Sequence, residues 1–139
     1  ESKNLILYFG LAVSQEILET TEIQPKIYFW DLGIRNALIG NLNQIENRND
    51  VGALWENYVI SERMKRNKYD FSYAQSWYSR TQQQQEIDYI EEKDGRLSAY
   101  EIKWNSSKAK TKAPQSFVKS YPEADYQVIT PENIESFLL

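Results

Sequence analysis

The sequence predicts an α/β protein with a mixed central sheet flanked by helices, its elements ordered α, β, β, β, α, β from about residue 51 onward. Three observations lead there. A stretch of good helix formers from about Val51 to Arg66 carries a broad apolar surface of Val51, Leu54, Trp55, Tyr58, Val59 and Ile60. Three runs of β-branched and aromatic residues follow, the last two joined by Asp94-Gly95. A helical stretch at Ala113 to Ser120 then separates them from a further apolar run, Tyr126 to Thr130.

Residues 4 to 20 are dense in apolar side chains (Leu5, Ile6, Leu7, Phe9, Leu11, Val13, Ile17, Leu18), which suits a buried helix better than an alternating strand. A helical segment over 1–24 is therefore expected ahead of one globular domain spanning 25–139. After Pro25, Lys26 to Asp31 reads as a strand, and a short helix from about Leu32 to Ile39 ends at Gly40. Asn41 to Asp50 is a polar loop, and Asp50 stands where it could cap the helix that starts at Val51. Tyr69 to Tyr73 is a linker, and Gln75 to Thr81 alternates as a strand. Gln82 to Gln85 is the one low-complexity patch. The helix at 113–120 turns Phe117 and Val118 inward, and Thr130 caps a last helix with Pro131 in its first position.

The hairpin is the most informative element. Asp-Gly favours a two-residue loop of type I′, because both positions need positive φ. If Asp94 and Gly95 form that loop, paired residue numbers sum to 94 + 95 = 189, which sets Asp88 opposite Glu101 and Glu86 opposite Lys103. Asp88, Glu101 and Lys103 then project from one face. Facing carboxylates destabilise a sheet unless a cation lies between them. Two readings are open: a solvated face with a Glu86–Lys103 ion pair, or a site for a hard cation such as Mg²⁺, which takes oxygen ligands and one or two protein carboxylates.

Glu56 lies among small and apolar residues on the preceding helix, with Gly52 and Ala53 one turn before and Val59 and Ile60 one turn after. A carboxylate so placed either points inward toward a cation or pairs with an arginine such as Arg63. Lys108, Lys110 and Lys112 form a basic loop, read either as solvated or as a phosphate contact.

Composition narrows the chemistry. The 139 residues suffice for one cored domain, and 14% aromatic content argues for a folded one. With no cysteine and no histidine, thiol nucleophiles, His-based triads and the usual zinc sites are excluded. Any catalysis falls to carboxylates, lysine or a metal. The net charge of −4 argues against a broadly basic nucleic-acid binder, although charge can be segregated. No apolar run is long enough to span a membrane, no cleavage site follows Leu5 to Val13, and a cytoplasmic location is expected.

Several segments together resemble a known family. Gly52-Ala53-Leu54-Trp55-Glu56-Asn57, Trp77-Tyr78-Ser79-Arg80, Glu86-Ile87-Asp88-Tyr89 and Tyr100-Glu101-Ile102-Lys103 are similar to the domain called DUF4143, of the PD-(D/E)xK or restriction-endonuclease-like superfamily. Pro25 to Gly33 resembles the stretch that precedes the family's helix, so the likeness covers roughly residues 25 to 139. The resemblance implies a restriction-endonuclease-like αβββαβ core. It further implies Asp88 and Glu101 as metal-binding carboxylates, Lys103 as catalytic lysine, and Glu56 as the helix acid that completes the site. Mg²⁺ or Mn²⁺ is the implied cofactor, and hydrolysis of nucleic acid, DNA before RNA, the implied activity. The family commonly sits C-terminal to an AAA-type ATPase module, but this chain has no Gly-x-x-x-x-Gly-Lys-Ser/Thr loop. The other implied role is a non-catalytic docking module for DNA or protein.

Overall fold

A computed structural model describes residues 6–9, 26–80, 86–109 and 112–139. The chain runs β1 (Ile6–Phe9), β2 (Lys26–Phe29), α1 (Leu32–Leu38), α2 (Val51–Tyr69), β3 (Gln75–Arg80), β4 (Glu86–Lys93), β5 (Arg96–Ile102), α3 (Gln115–Ser120), β6 (Asp125–Ile129) and α4 (Ile134–Leu138). From Val51 the order is the expected α, β, β, β, α, β, followed by a last helix. Strands β3 to β6 make one sheet in chain order, antiparallel at β3–β4 and β4–β5 and parallel at β5–β6. The mixture follows from the connections. A turn can join only antiparallel neighbours, whereas the β5–β6 link is long enough to contain α3 and cross over.

Helices cover both faces. On one, Tyr89, Ile102 and Ile129 pack against Val59 and Ile60 of α2, Phe137 of α4 and Tyr28 of β2. On the other, Ile87, Ile90 and Ala99 pack against Phe117 of α3. Strand β2 is tied to α2 by Asn57, a buried residue in mid-helix. Its side-chain carbonyl accepts from Phe29 N–H at 2.9 Å and its amide donates to Phe29 O at 2.7 Å. Both backbone groups of Phe29 are satisfied as a neighbouring strand would satisfy them.

The turn has the expected conformation, with φ of 53° at Asp94 and 74° at Gly95. The register from Lys93↔Arg96 to Tyr89↔Tyr100 has the predicted sum of 189 throughout.

Four local expectations fail. The helix expected over 4–20 is, at Ile6–Phe9, a strand antiparallel to β2, with Ile6 opposite Phe29. A short apolar run satisfies either element by periodicity, and here the open edge of β2 decides. The rest of that run, and of the helical segment expected over 1–24, lies outside the described residues, as does Gln82 to Gln85. Asp50 occupies the cap position of α2 without a side-chain cap bond, because its carboxylate is taken by Arg48 at 2.9 Å and Arg35 at 3.0 Å. The Arg48 hydrogen bond first, then Arg35, hold its pKa at about 2. Val118 is exposed, since α3 turns only Phe117 inward. The last helix begins at Ile134, because Asn133 bonds back to Val128 O and Thr130 N–H and holds 131–133 as a turn.

Candidate active site

The site lies at the open end of the hairpin, where the β4–β5 ladder stops at Tyr89↔Tyr100. Strand β4 carries an extra residue there. Trp77 pairs with Ile90 but Ser79 pairs with Ile87, so two steps along β3 match three along β4. Such a bulge redirects side chains, and it puts Ile87 and Ile90 in one cluster although three positions separate them. Asp88 sits inside the bulge. Its Oδ2 accepts the Ile102 N–H at 2.8 Å, so a carboxylate takes over where the backbone ladder ends.

Lys103 joins the two acids. Its Nζ lies 3.1 Å from Glu101 Oε1 and 3.6 Å from Asp88 Oδ2. Of the two readings, the solvated face is overturned, because Asp88 is 5% and Glu101 8% exposed. The backbone of Glu86 pairs with Arg80 of β3, while its side chain, the other expected partner of Lys103, lies outside the described residues. Lys103 is positioned through its own backbone, whose N–H donates to Ile129 O at 2.9 Å. The next residue, Trp104, packs edge-on against Trp55 of α2 at 5.5 Å between ring centroids.

The electrostatics are those of a cation held by anions. Burial works against the Lys103 charge, but Asp88 and then Glu101, with Glu56 contributing least, raise its pKa above the ordinary lysine value. Lys103 is therefore an ammonium: it donates hydrogen bonds and does not accept a proton. The Tyr126 hydroxyl donates to Glu101 Oε2 at 2.5 Å, and burial first, then Glu101, push the tyrosine pKa up. Glu101 is thus held from two sides, by Tyr126 of β6 and by Lys103.

Glu56 comes from α2. Its Oε1 accepts from Tyr28 OH at 2.5 Å, and the alternative partner Arg63 is bound elsewhere, to Glu91. Glu56 borders a cleft of about 200 Å³ with Tyr28, Arg35 and Asn57, and it reaches the trio through the field it exerts on Lys103. Among the described residues no three His, Cys, Asp or Glu side chains gather as a metal-binding group. The donors at Asp88 and Glu101 are hard oxygens already arranged around one cation, which is the chemistry a divalent ion with one or two protein carboxylates requires.

Sequence reasoning brings Asp88, Glu101 and Lys103 together correctly and misses Tyr126 and Tyr28, the hydroxyls that orient Glu101 and Glu56. Each acts across 25 or more residues, and neither belongs to a short motif. The basic loop is described only in part. Lys108 closes a 3-10 turn, Lys112 is exposed, and 110 and 111 lie outside the described residues. No described helix is long and apolar enough to cross a membrane.

The family described as "Domain of unknown function (DUF4143)" matches residues 51–137, from the first turn of α2 into α4. No curated protein and no solved structure matches the chain.

Proposed function

We propose that this chain, which belongs to the DUF4143 family, is a metal-dependent phosphodiester hydrolase acting on nucleic acid, built on a restriction-endonuclease-like core. The observation that carries the reading is the Lys103 ammonium set between two buried carboxylates at the end of a hairpin. A purely structural ion pair needs one acid per cation, and burying a second costs free energy unless it has a use. The order α2, β3, β4, β5, α3, β6 supports the same reading.

Asp88 and Glu101 would hold a Mg²⁺ or Mn²⁺ ion, with Glu56 completing the set. Such an ion, when bound, polarises a phosphoryl oxygen and acidifies water. The protein's own contributions follow from the geometry. Tyr126 fixes one oxygen of Glu101, and the Ile102 N–H fixes one of Asp88, so neither acid has to reorganise. Lys103, kept charged, donates to the water that attacks or to the phosphate oxygens on which charge develops. An AAA-type ATPase module linked to this domain would supply the energy-dependent step.

A second reading is a docking module for such an ATPase. It is favoured by one observation: Lys103 already bridges both acids, at 3.1 and 3.6 Å. Isothermal titration with Mn²⁺ separates the two. The wild type is expected to bind one ion and Glu101→Gln to bind it at least about tenfold more weakly, since ligand and outer-shell losses are of that order. Absence of binding by the wild type overturns the hydrolase and leaves the docking module.

A further inference from the structure

We infer that the C-terminal half of α2 and the turn after it bind single-stranded nucleic acid, with bases stacked on Tyr69, Phe71 and Tyr73. These rings are 81, 84 and 97% exposed and occupy alternate positions of a five-residue stretch. Single exposed apolar residues are ordinary, but a cluster marks a contact surface.

The backbone beneath them carries a cost. Helix α2 ends in a Schellman motif, in which Ser72 N–H bonds Asn67 O at 2.8 Å and Phe71 N–H bonds Lys68 O at 3.3 Å. The residue at its left-handed position is usually glycine; here it is Phe71, with φ of 50°. A β-carbon in that region is strained, and an 84% exposed ring returns no burial to offset it. Strain retained under an exposed aromatic points to a use for the ring.

The neighbouring charges say what the rings meet. Lys65, Arg66 and Lys68 fall within four residues of a chain whose net charge is −4. The ammonium groups of Lys65 and Lys68 lie 5.5 and 5.8 Å from the centre of the Trp30 ring, a further aromatic beside these cations. The ion pairs Lys65–Glu62 and Arg66–Asp70 are part-exposed, Arg66 also donating to Leu139 O, and pairs of this kind contribute little to stability, so phosphate can compete for the cations. Rings beside cations suit a flexible strand of bases and phosphates, because every base has a π-face to stack. An apolar protein surface would leave the cations unmatched, and a duplex keeps its base faces covered. Tyr69 lies 69 − 56 = 13 residues beyond Glu56 on the same helix, about 20 Å, a span of a few nucleotides.

As a statement about substrate this rests on the hydrolase reading; as a statement about binding it does not. The test therefore reads binding in EDTA, by fluorescence anisotropy of labelled oligo-dT and oligo-U and of a duplex of equal length. Either single strand is expected to bind more tightly than the duplex. Phe71→Gly is expected to weaken that binding about 5- to 100-fold, with a melting temperature unchanged or raised because glycine relieves the strain. Replacing Lys65 and Lys68 by glutamine is expected to weaken binding and flatten its salt dependence. The inference is overturned by absence of single-strand binding, by equal duplex binding, by Phe71→Gly binding normally, or by a lowered melting temperature in that variant. None of these outcomes bears on Mn²⁺ binding at Asp88 and Glu101.

Discussion

Glu91→Ala is expected to destabilise the fold by about 3–5 kcal/mol, a large part of the roughly 5–15 kcal/mol that holds a domain together. Glu91 is 4% exposed and accepts four hydrogen bonds. Arg63 reaches it twice, Nη2 to Oε1 at 2.8 Å and Nε to Oε2 at 3.1 Å, and Asn67 Nδ2 and Tyr89 OH each donate to Oε2 at 2.8 Å. Arg63 also donates to Phe137 O at 2.6 Å and lies 4.8 Å from the Phe137 ring centre, so the network joins α2, β4 and α4. Removing the acid leaves the largely buried Arg63 guanidinium without its counter-charge, with the Phe137 carbonyl still accepting from it, and takes a partner from the Tyr89 hydroxyl and the Asn67 amide. Replacing both charges, in Arg63→Met with Glu91→Leu, is expected to recover part of the loss, because an apolar pair leaves no buried charge unpaired. Urea unfolding measures all three variants, and a Glu91→Ala cost below about 1 kcal/mol would reduce the network to a surface pair.

The same network gives a pH dependence. Burial pushes the Glu91 pKa up, but hydrogen bonds from Arg63, Asn67 and Tyr89 outweigh it and leave the carboxyl below its ordinary value. Since the folded pKa is the lower one, the stabilisation is complete above the unfolded value of about 4.3 and is lost as pH falls through the folded value.

Asp88→Asn is expected to lower Mg²⁺-dependent cleavage of nucleic acid by at least about a hundredfold to a thousandfold, the loss typical of one preorganised charge-stabilising group. Asparagine keeps the shape of the side chain and an oxygen for the Ile102 N–H, so the ladder end stays capped. What goes is the charge beside Lys103, which then pairs with Glu101 alone. A single-turnover assay reads the effect, with the melting curve as a check on the fold. Undiminished cleavage by a folded variant would place any activity elsewhere.

The legible parts of this protein are those whose causes are local. Asp94-Gly95 dictates its turn, the turn dictates the register, and the register delivers Asp88 and Glu101 to the same strand ends. The α2 boundary at Val51 is equally local, although the cap is not, because Arg35 and Arg48 compete for Asp50 and win its carboxylate. What could not be read depends on partners far along the chain. The strand at Ile6–Phe9 exists through its pairing with β2, Glu56 is oriented by a hydroxyl 28 residues away, and the bulge around Asp88 is visible only once β3 is paired. The Glu91 network is a further case. On its strand Glu91 looks like a solvated charge beside Glu92, and only the arrival of α2 makes it a buried one.

The link between β5 and β6 also sets an order of events. Strands β4 and β5 are joined by a two-residue turn and can pair within microseconds. Strand β6 must first close a much longer loop, with Tyr126 lying 25 residues beyond Glu101. Two constraints on the acids and the ammonium arrive with it, the Tyr126 hydroxyl on Glu101 and the Ile129 carbonyl on the Lys103 N–H. Amide hydrogen exchange at Lys103 is accordingly expected to outpace exchange in the β4–β5 ladder, and equal protection would mean that the sheet opens as one unit. The hairpin presents the acids early, but the site matures last, and its lifetime is that of the final strand's attachment.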